Sequence, residues 1–131
     1  MPTRHVVIDH LTVGVSDLEV SRRFYSQALA PLGFAENGPW SDANREVAFG
    51  LKDANDFAIS DRYEAGGQLH IAFAAETREQ VDAFHEAALA AGGRDNGAPG
   101  SRPEYSAGYY GAFALDPDGH NVEAVCHAEP G

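Results

Sequence analysis

An internal repeat constrains the fold of this chain more than any other feature of its sequence. Residues 9–33 align without a gap to residues 69–93, and every matched pair is 60 positions apart. The alignment pairs His10 with His70, Phe24 with Phe84, and Gly33 with Gly93. Stacked solenoids repeat their unit many times, so two copies indicate a duplicated structural unit instead.

Each copy has the pattern of a strand, a helix cap and a helix. Residues 11, 13 and 15 and residues 69, 71 and 73 are apolar and alternate with histidine or small residues, which is the period of a half-buried strand. Ser16 with Glu19, and Thr77 with Gln80, have the spacing of capping boxes. Apolar residues at helical spacing follow both boxes, and the two helices then end at a proline and at a pair of glycines.

Strand-like segments follow each predicted helix. We expect strands over residues 46–51 and 57–60 in the first half, and over residues 109–115 and 121–126 in the second. A further strand is expected near residues 34–36 and near residues 104–106, and Asp116-Pro117-Asp118-Gly119 has the composition of a tight turn. The sequence therefore predicts an α+β fold of two βαβββ modules, which form an open, cup-shaped mixed β-sheet with the helices on the outside.

The length and composition favour one domain over residues 1–131, with a first module of about residues 1–65 and a second of about residues 66–131. The formal net charge of −11 argues against a nucleic-acid partner, which needs a basic face. A single cysteine excludes an intrachain disulfide, and there is no long apolar run for a membrane. We therefore expect a cytoplasmic protein that contacts neither nucleic acid nor membrane.

Three polar residues stand out on the predicted strands. His10 and His70 occupy equivalent positions of the repeat, on the strand face opposite to the apolar residues. Glu123 lies in an otherwise apolar final strand, where a buried carboxylate needs a partner. Two imidazoles and a carboxylate in a shared cup would form a metal site with open coordination positions. The alternative is that each histidine is structural and that the glutamate lies on an exposed face.

The segment from residue 92 to residue 111 is rich in glycine and proline and is long for a connection. One member of its Tyr109-Tyr110 pair should face the cup, and we take Tyr110 as the candidate catalytic residue, able to orient a substrate or move a proton. Arg102 and Tyr105 are candidate substrate-binding residues, because a guanidinium binds carboxylates or enolates. The alternative is that the tyrosines only pack the rim and that Arg102 pairs with a surface acid. Trp40 is expected to cap the other edge of the cup.

The remaining histidines and the cysteine have structural interpretations. We assign no ligand role to the histidines at positions 5, 85 and 120, and His127 could approach Glu123. Cys126 has the opposite strand parity to Glu123, which indicates a small apolar side chain in the core.

These residues together resemble the vicinal oxygen chelate superfamily, which includes glyoxalase I, the bleomycin-resistance proteins and the extradiol dioxygenases. The resemblance rests on the paired modules and on the segments DHLTVGVSD, RRFYSQALAPLGF, LHIAFAA and DPDGHNVEAV. It implies metal ligands on the first and last strand of each module, and His10, His70 and Glu123 occupy three of those four places. The fourth place falls at Ala58 or Ile59, which departs from the four-ligand pattern of glyoxalase I.

The resemblance implies a metal-dependent enzyme, a lyase, isomerase or dioxygenase, whose small substrate chelates a divalent ion (Fe, Mn, Zn or Ni) through adjacent oxygens. The alternative is a metal-free binding protein of the bleomycin-resistance type, and a third reading is that the polar trio forms only an internal hydrogen-bond network. Modules of this kind often pair through sheet edges, so we also expect a homodimer.

Overall fold

The computed structural model describes residues 8–37, 45–51, 54–66 and 69–127, so His5 and Trp40 lie outside the described residues. The first module contains β1 (Leu11–Gly14), α1 (Leu18–Leu29), a 3-10 turn (Ala30–Leu32), β2 (Ala35–Asn37), β3 (Glu46–Gly50) and β4 (Phe57–Ser60). The second contains β5 (His70–Ala74), α2 (Arg78–Ala90), β6 (Arg94–Ser101), β7 (Tyr110–Leu115) and β8 (Asn121–Cys126).

The two modules have the same topology. The four-stranded sheets have the orders β1-β4-β3-β2 and β5-β8-β7-β6, and in each the first strand runs parallel to the last. Helices α1 and α2 begin 60 residues apart, at Leu18 and Arg78, as the repeat requires. The predicted α+β fold of two βαβββ modules is confirmed.

The two helices begin differently from one another. At α2, Thr77 and Gln80 form the predicted capping box. At α1 the prediction of a box from Ser16 is wrong, because Asp17 is the N-cap and its side chain accepts from the Val20 N–H. Ser16 instead binds Asp118 of the second module through its N–H and its hydroxyl.

The prediction of a strand near residues 104–106 is also wrong. The strand lies earlier, at β6 (Arg94–Ser101), and pairs with β7 through two register shifts. A turn closed by Arg102 N–H to Tyr109 O and Tyr105 N–H to Arg102 O occupies the predicted position. The β6 sequence, RDNGAPGS, has few strand-forming residues, so its pairing with β7 rather than local propensity determines it.

The helix-facing sides of both sheets share one core, and this core joins the modules. Phe57 of β4 and Phe73 of β5 meet edge to face with ring centroids 5.1 Å apart. Tyr25 of α1 is buried and donates its hydroxyl to Asp116 of the second module. The modules therefore contact each other through their helix sides.

Each sheet has a second face, turned away from its helix, which we call its open face. On β1 the segment between the modules passes close to this face at Gly14, where an added Cβ would lie 2.2 Å from the Glu64 carbonyl oxygen. Any side chain at Gly14 would therefore push this segment away. In the described residues, no helix combines the length and the apolar character needed to cross a membrane.

Candidate active site

Strand register places a carboxylate at the centre of the open face of the second sheet. Glu123 of β8 lies opposite Ala72 of the parallel strand β5 and opposite Phe113 of the antiparallel strand β7. Its neighbours Val122 and Ala124 point into the core, so alternation directs Glu123 to the other face. The small side chain at Ala72 leaves room for the carboxylate.

The Glu123 carboxylate is fully buried and both of its oxygens are bonded. Its side chain is 0% exposed, and Oε1 lies 2.7 Å from Nε2 of His70, whose side chain is 54% exposed. The Tyr109 hydroxyl donates to Oε2. Burial of a carboxylate is costly without such partners. The imidazole of His70 therefore contacts both the buried carboxylate and the solvent.

Gly111 makes the space in which Tyr109 and Glu123 meet. A Cβ at this position would lie 2.9 Å from Oε2 of Glu123 and 3.1 Å from a ring carbon of Tyr109. A side chain here would therefore displace the carboxylate or the phenol.

The pKa of Tyr109 is raised to about 12, mainly because burial disfavours the phenolate and also because the hydroxyl donates to Glu123. At neutral pH Tyr109 is therefore protonated and serves as a hydrogen-bond donor to the carboxylate.

Aromatic rings and one cation surround this pair. The Phe113 ring lies 6.0 Å from the His70 ring, and the Arg102 guanidinium carbon lies 5.4 Å from the Phe113 ring centroid. Tyr105 packs edge to face on Tyr109 at 5.1 Å. Arg102, Tyr105 and Phe113 line a cavity of about 410 Å³ beside the pair. This cavity offers a positive charge and flat apolar surfaces to a small molecule.

His10 lies apart from this arrangement. Its side chain is 69% exposed and its Nδ1 lies 2.8 Å from Asp9. It lines a cavity of about 490 Å³ whose walls all belong to the first module. Ala58 of β4 lies opposite Thr12 of β1, which is the position that Glu123 holds opposite Ala72, so the first module has no acid at the equivalent place.

The predicted trio of metal ligands is thus only partly assembled within one chain. His70 and Glu123 are adjacent. Among the residues that the structure describes, His10, His70 and Glu123 do not form a group with all potential ligand atoms within 4.8 Å of one another. The three residues as one metal site stay a prediction.

The placement of Tyr110 in the cup is wrong. Tyr110 shares strand parity with the core residues Ala112 and Ala114, and its hydroxyl donates to Asp82 of α2 at 2.7 Å. The tyrosine on the Glu123 face is Tyr109, which lies just before β7. The sequence contained a usable signal, because alanines at alternate positions after Tyr110 are typical of the side packed under a helix.

The other expectations have mixed outcomes. Cys126 is buried in the core, as its parity predicts. His85 of α2 lies 2.9 Å from Asp95 of β6. The His127 ring packs on the Tyr109 ring at 5.3 Å, next to the site.

A second group of potential metal ligands lies in the turn between β7 and β8. Ligand atoms of Asp116, Asp118 and His120 all lie within 4.8 Å of one another. The sequence predicts only a turn for these residues. No local sequence pattern indicates this group, because residues far away in the chain, Ser16 and Tyr25 of the first module, hold the two aspartates in place.

The fit of a metal ion to the open face rests on the donors found there. An imidazole nitrogen and a buried carboxylate oxygen lie side by side, and Tyr109 is a neutral donor. This donor set suits a divalent ion of the Mn–Zn series, and it supplies two ligands from this chain. It fits such an ion provided that further ligands come from elsewhere.

A duplicated βαβββ chain with the same topology in both modules has the fold of the vicinal oxygen chelate class of proteins. Residues 7–124 match the model of the Glyoxalase/Bleomycin resistance protein/Dioxygenase superfamily, and the chain belongs to this family.

Individual relatives agree with this assignment. The chain is 33% identical over 122 residues to an uncharacterized protein, YqjT, of Bacillus subtilis (strain 168), covering 88% of this chain and 95% of that one. It is similar to the crystal structure of a glyoxalase/bleomycin resistance protein from Albidiferax ferrireducens T118, with a TM-score of 0.73, 34% identity, and coverage of 95% and 100%. A family enzyme from Burkholderia phytofirmans PsJN has the same fold, with a TM-score of 0.67, 20% identity, and coverage of 92% and 98%.

Proposed function

We propose that this protein is a metal-dependent enzyme, a lyase, isomerase or dioxygenase, acting on a small substrate with adjacent oxygens. The observation that carries the proposal is the buried carboxylate of Glu123 beside Nε2 of His70. Arginine and lysine side chains of the described residues form no ion pair with Glu123, so its charge has only an imidazole and a phenol beside it. A divalent cation would balance this charge.

His70 and Glu123 would hold the ion, and His10 of a second copy would complete the set. A bound divalent ion would supply Lewis acidity to the substrate oxygens, or redox chemistry with dioxygen if it is iron(II). The second copy is needed because His10 and the His70–Glu123 pair lie on separate open faces of one chain.

A homodimer has support in the free edges of the sheets. In the described residues β1 pairs only with β4, and β5 only with β8, so each presents an unpaired edge. Leu11 and Leu69 are exposed near these edges. Pairing of two copies along these strands would cover the edges and bring His10 of one copy towards His70 of the other.

The surrounding residues would bind and orient the substrate. Arg102 would bind a carboxylate or enolate oxygen, as expected from its guanidinium. The Phe113 ring lies between Arg102 and His70 and would pack on a planar part of the substrate. Tyr105 would close the outer side. The substrate class that fits is a small anion with a planar, oxygen-rich group.

Tyr109 would take the proton-handling role first assigned to Tyr110. Its hydroxyl fixes Glu123 Oε2, and its raised pKa keeps the proton on the phenol at neutral pH. It can therefore hold the carboxylate in place, and its single O–H would turn from Glu123 to donate a hydrogen bond to negative charge that develops on the substrate.

A metal-free binding protein is the second candidate, and one observation favours it. Both oxygens of Glu123 are already bonded by protein groups, so the pair is satisfied without an ion. In this case the cavity beside Arg102 would sequester an anionic ligand without chemistry.

Metal analysis of the purified protein separates the two candidates. We expect stoichiometric divalent metal in protein prepared without chelator and its loss from this face in His70→Ala and Glu123→Gln. Glu104→Gln is the matched control, because Glu104 is an exposed acid at the rim of the same cavity. Equal metal content in Glu123→Gln and Glu104→Gln would contradict the hypothesis of a metal-dependent enzyme.

A further inference from the structure

The turn between β7 and β8 forms a second, separate cluster of ligating side chains. Asp116 and His120 are buried, with 3% and 1% of their surface exposed, and Asp118 is half-buried. Their potential ligand atoms all lie within 4.8 Å of one another. The open-face pair does not include any of them.

His120 is an unpartnered polar side chain in this cluster. Neither Nδ1 nor Nε2 has a hydrogen-bond partner among the residues that the structure describes. Buried polar atoms in native proteins almost always have a partner, so such an imidazole calls for one. One of its ring nitrogens lies within 4.8 Å of a carboxylate oxygen of each aspartate but bonds to neither.

The two carboxylates are held in place yet keep free lone pairs. Oδ1 of Asp116 accepts from the N–H groups of Asp118 and His120, both at 2.9 Å, and Oδ2 accepts from the Tyr25 hydroxyl. Asp118 accepts from the N–H and the hydroxyl of Ser16. Since each carboxylate oxygen can accept two bonds, Oδ2 of Asp116 and of Asp118 each retain acceptor capacity.

The cluster also has uncompensated negative charge. Among the residues that the structure describes, no lysine or arginine forms an ion pair with Asp116 or Asp118. A cation between the aspartates would relieve this charge, and the chain's net charge of −11 favours cation uptake.

We propose that Asp116, Asp118 and His120 bind a divalent transition-metal cation, with Zn²⁺ as the best-fitting ion. One imidazole nitrogen and two carboxylate oxygens suit Zn²⁺ or Mn²⁺, whereas Ca²⁺ prefers oxygen alone. Zinc–ligand distances of about 2.0–2.2 Å separate ligand atoms by at most about 4.4 Å, so a bound ion would draw together any of these atoms that lie near the 4.8 Å limit. Water would fill the remaining positions.

The ion would strengthen the contact between the two modules. Both aspartates already bind residues of the first module, Asp118 through Ser16 and Asp116 through Tyr25. Fixing the aspartates on a common ion would hold the start and the middle of α1 against the β7–β8 turn. The expected role of the ion is structural, so its binding should raise the stability of the protein and should not affect catalysis.

The test uses the full chain carrying Glu123→Gln, which silences the open-face site. We expect calorimetric titration with ZnCl₂ to show one equivalent per chain, and saturation to raise the thermal midpoint by about 5 °C or more. In the same background, Asp118→Asn keeps an acceptor for Ser16 but removes a charged ligand, and His120→Gln removes the imidazole. Each should weaken Zn²⁺ binding by about 100-fold or more.

Ser16→Ala is the matched control, because it removes the hydroxyl bond to Asp118 and leaves all three ligands; it should retain Zn²⁺ binding. If Asp118→Asn does not fold, His120→Gln decides. Absence of Zn²⁺ binding in the Glu123→Gln parent, or Zn²⁺ binding in both ligand variants that is as tight as in this parent, would overturn the proposal. Because the open-face pair is already disabled, neither result depends on the proposed function.

Discussion

Among single residues, Gly111 influences the candidate site through the side chain that it lacks. Its missing side chain leaves the space in which Glu123 Oε2 and the Tyr109 ring meet. Gly111→Ala should displace the carboxylate and lower metal affinity at His70 and Glu123 by about 10- to 100-fold, as changes around metal ligands do. Titration with MnCl₂ in the Asp118→Asn background measures this.

Gly66→Ala is the control for Gly111→Ala, because an added Cβ at Gly66 meets nothing within 4 Å. It should bind metal as the parent does. If both variants bind equally well, Gly111 does not position the carboxylate.

Tyr109 gives a prediction about alkaline pH. The folded-state pKa is about 12, above the ordinary value of 10.0. The folded state therefore retains a proton that the unfolded state loses, so the contribution of Tyr109 to stability is present below pH 10 and falls as pH rises towards 12. The ultraviolet difference titration between wild type and Tyr109→Phe should show one phenol ionising near pH 12. A midpoint near 10 would contradict its burial against Glu123.

The sequence predicts most residues of the candidate site but not their grouping. His70 and Glu123 were found because a polar residue in an apolar strand pattern is a local signal. Tyr110 was expected on this face instead of Tyr109, although Ala112 and Ala114, at alternate positions after Tyr110, already indicate that Tyr110 lies on the core side. The separation of His10 from the pair depends on contacts between modules, such as Phe57 with Phe73, which no local pattern contains.

Among the helices, α1 offers a clear test of its N-terminus. Asp17 accepts from the Val20 N–H at 3.1 Å, so Asp17→Ala should lower the free energy of unfolding by about 1 kcal/mol. Glu19→Ala is the control, since Glu19 makes only a 3.6 Å ion pair with Arg22 and should cost at most about 0.5 kcal/mol. Urea unfolding followed by circular dichroism measures both. A larger loss in Glu19→Ala would favour the box that the sequence suggested.

The elements were predictable to the extent that local patterns specify them. Helices α1 and α2 and strands β3, β4, β7 and β8 follow hydrophobic periodicity and lie close to their expected bounds. Strand β6 does not, because RDNGAPGS forms a strand only through pairing with β7 and contact with α2. The cap at Asp17 was missed because Ser16 is bonded to Asp118, about a hundred residues away in the chain.

For the complete chain, the proposal requires two copies to build one open-face site. In a mixed dimer of His10→Ala and Glu123→Gln chains, one site would regain an intact His10 and an intact His70–Glu123 pair. Refolding an equal mixture should restore about a quarter of the wild-type sites, because half of the dimers are mixed and each has one complete site. Enzymatic or metal-binding capacity at this site measures the recovery. No recovery above the separate variants, with dimers seen by sedimentation, would contradict a shared site.

The central claim is that His70 and Glu123 hold a divalent ion on the open face of the second sheet. Anomalous X-ray scattering from a crystal grown with MnCl₂ and no chelator tests this most directly, because it locates the ion and its ligands together. We expect a peak about 2.0–2.3 Å from His70 Nε2 and a Glu123 carboxylate oxygen, with His10 of a second copy on the same ion. A Glu123 carboxylate bonded only to His70 and Tyr109, with no anomalous peak beside it, would contradict the account.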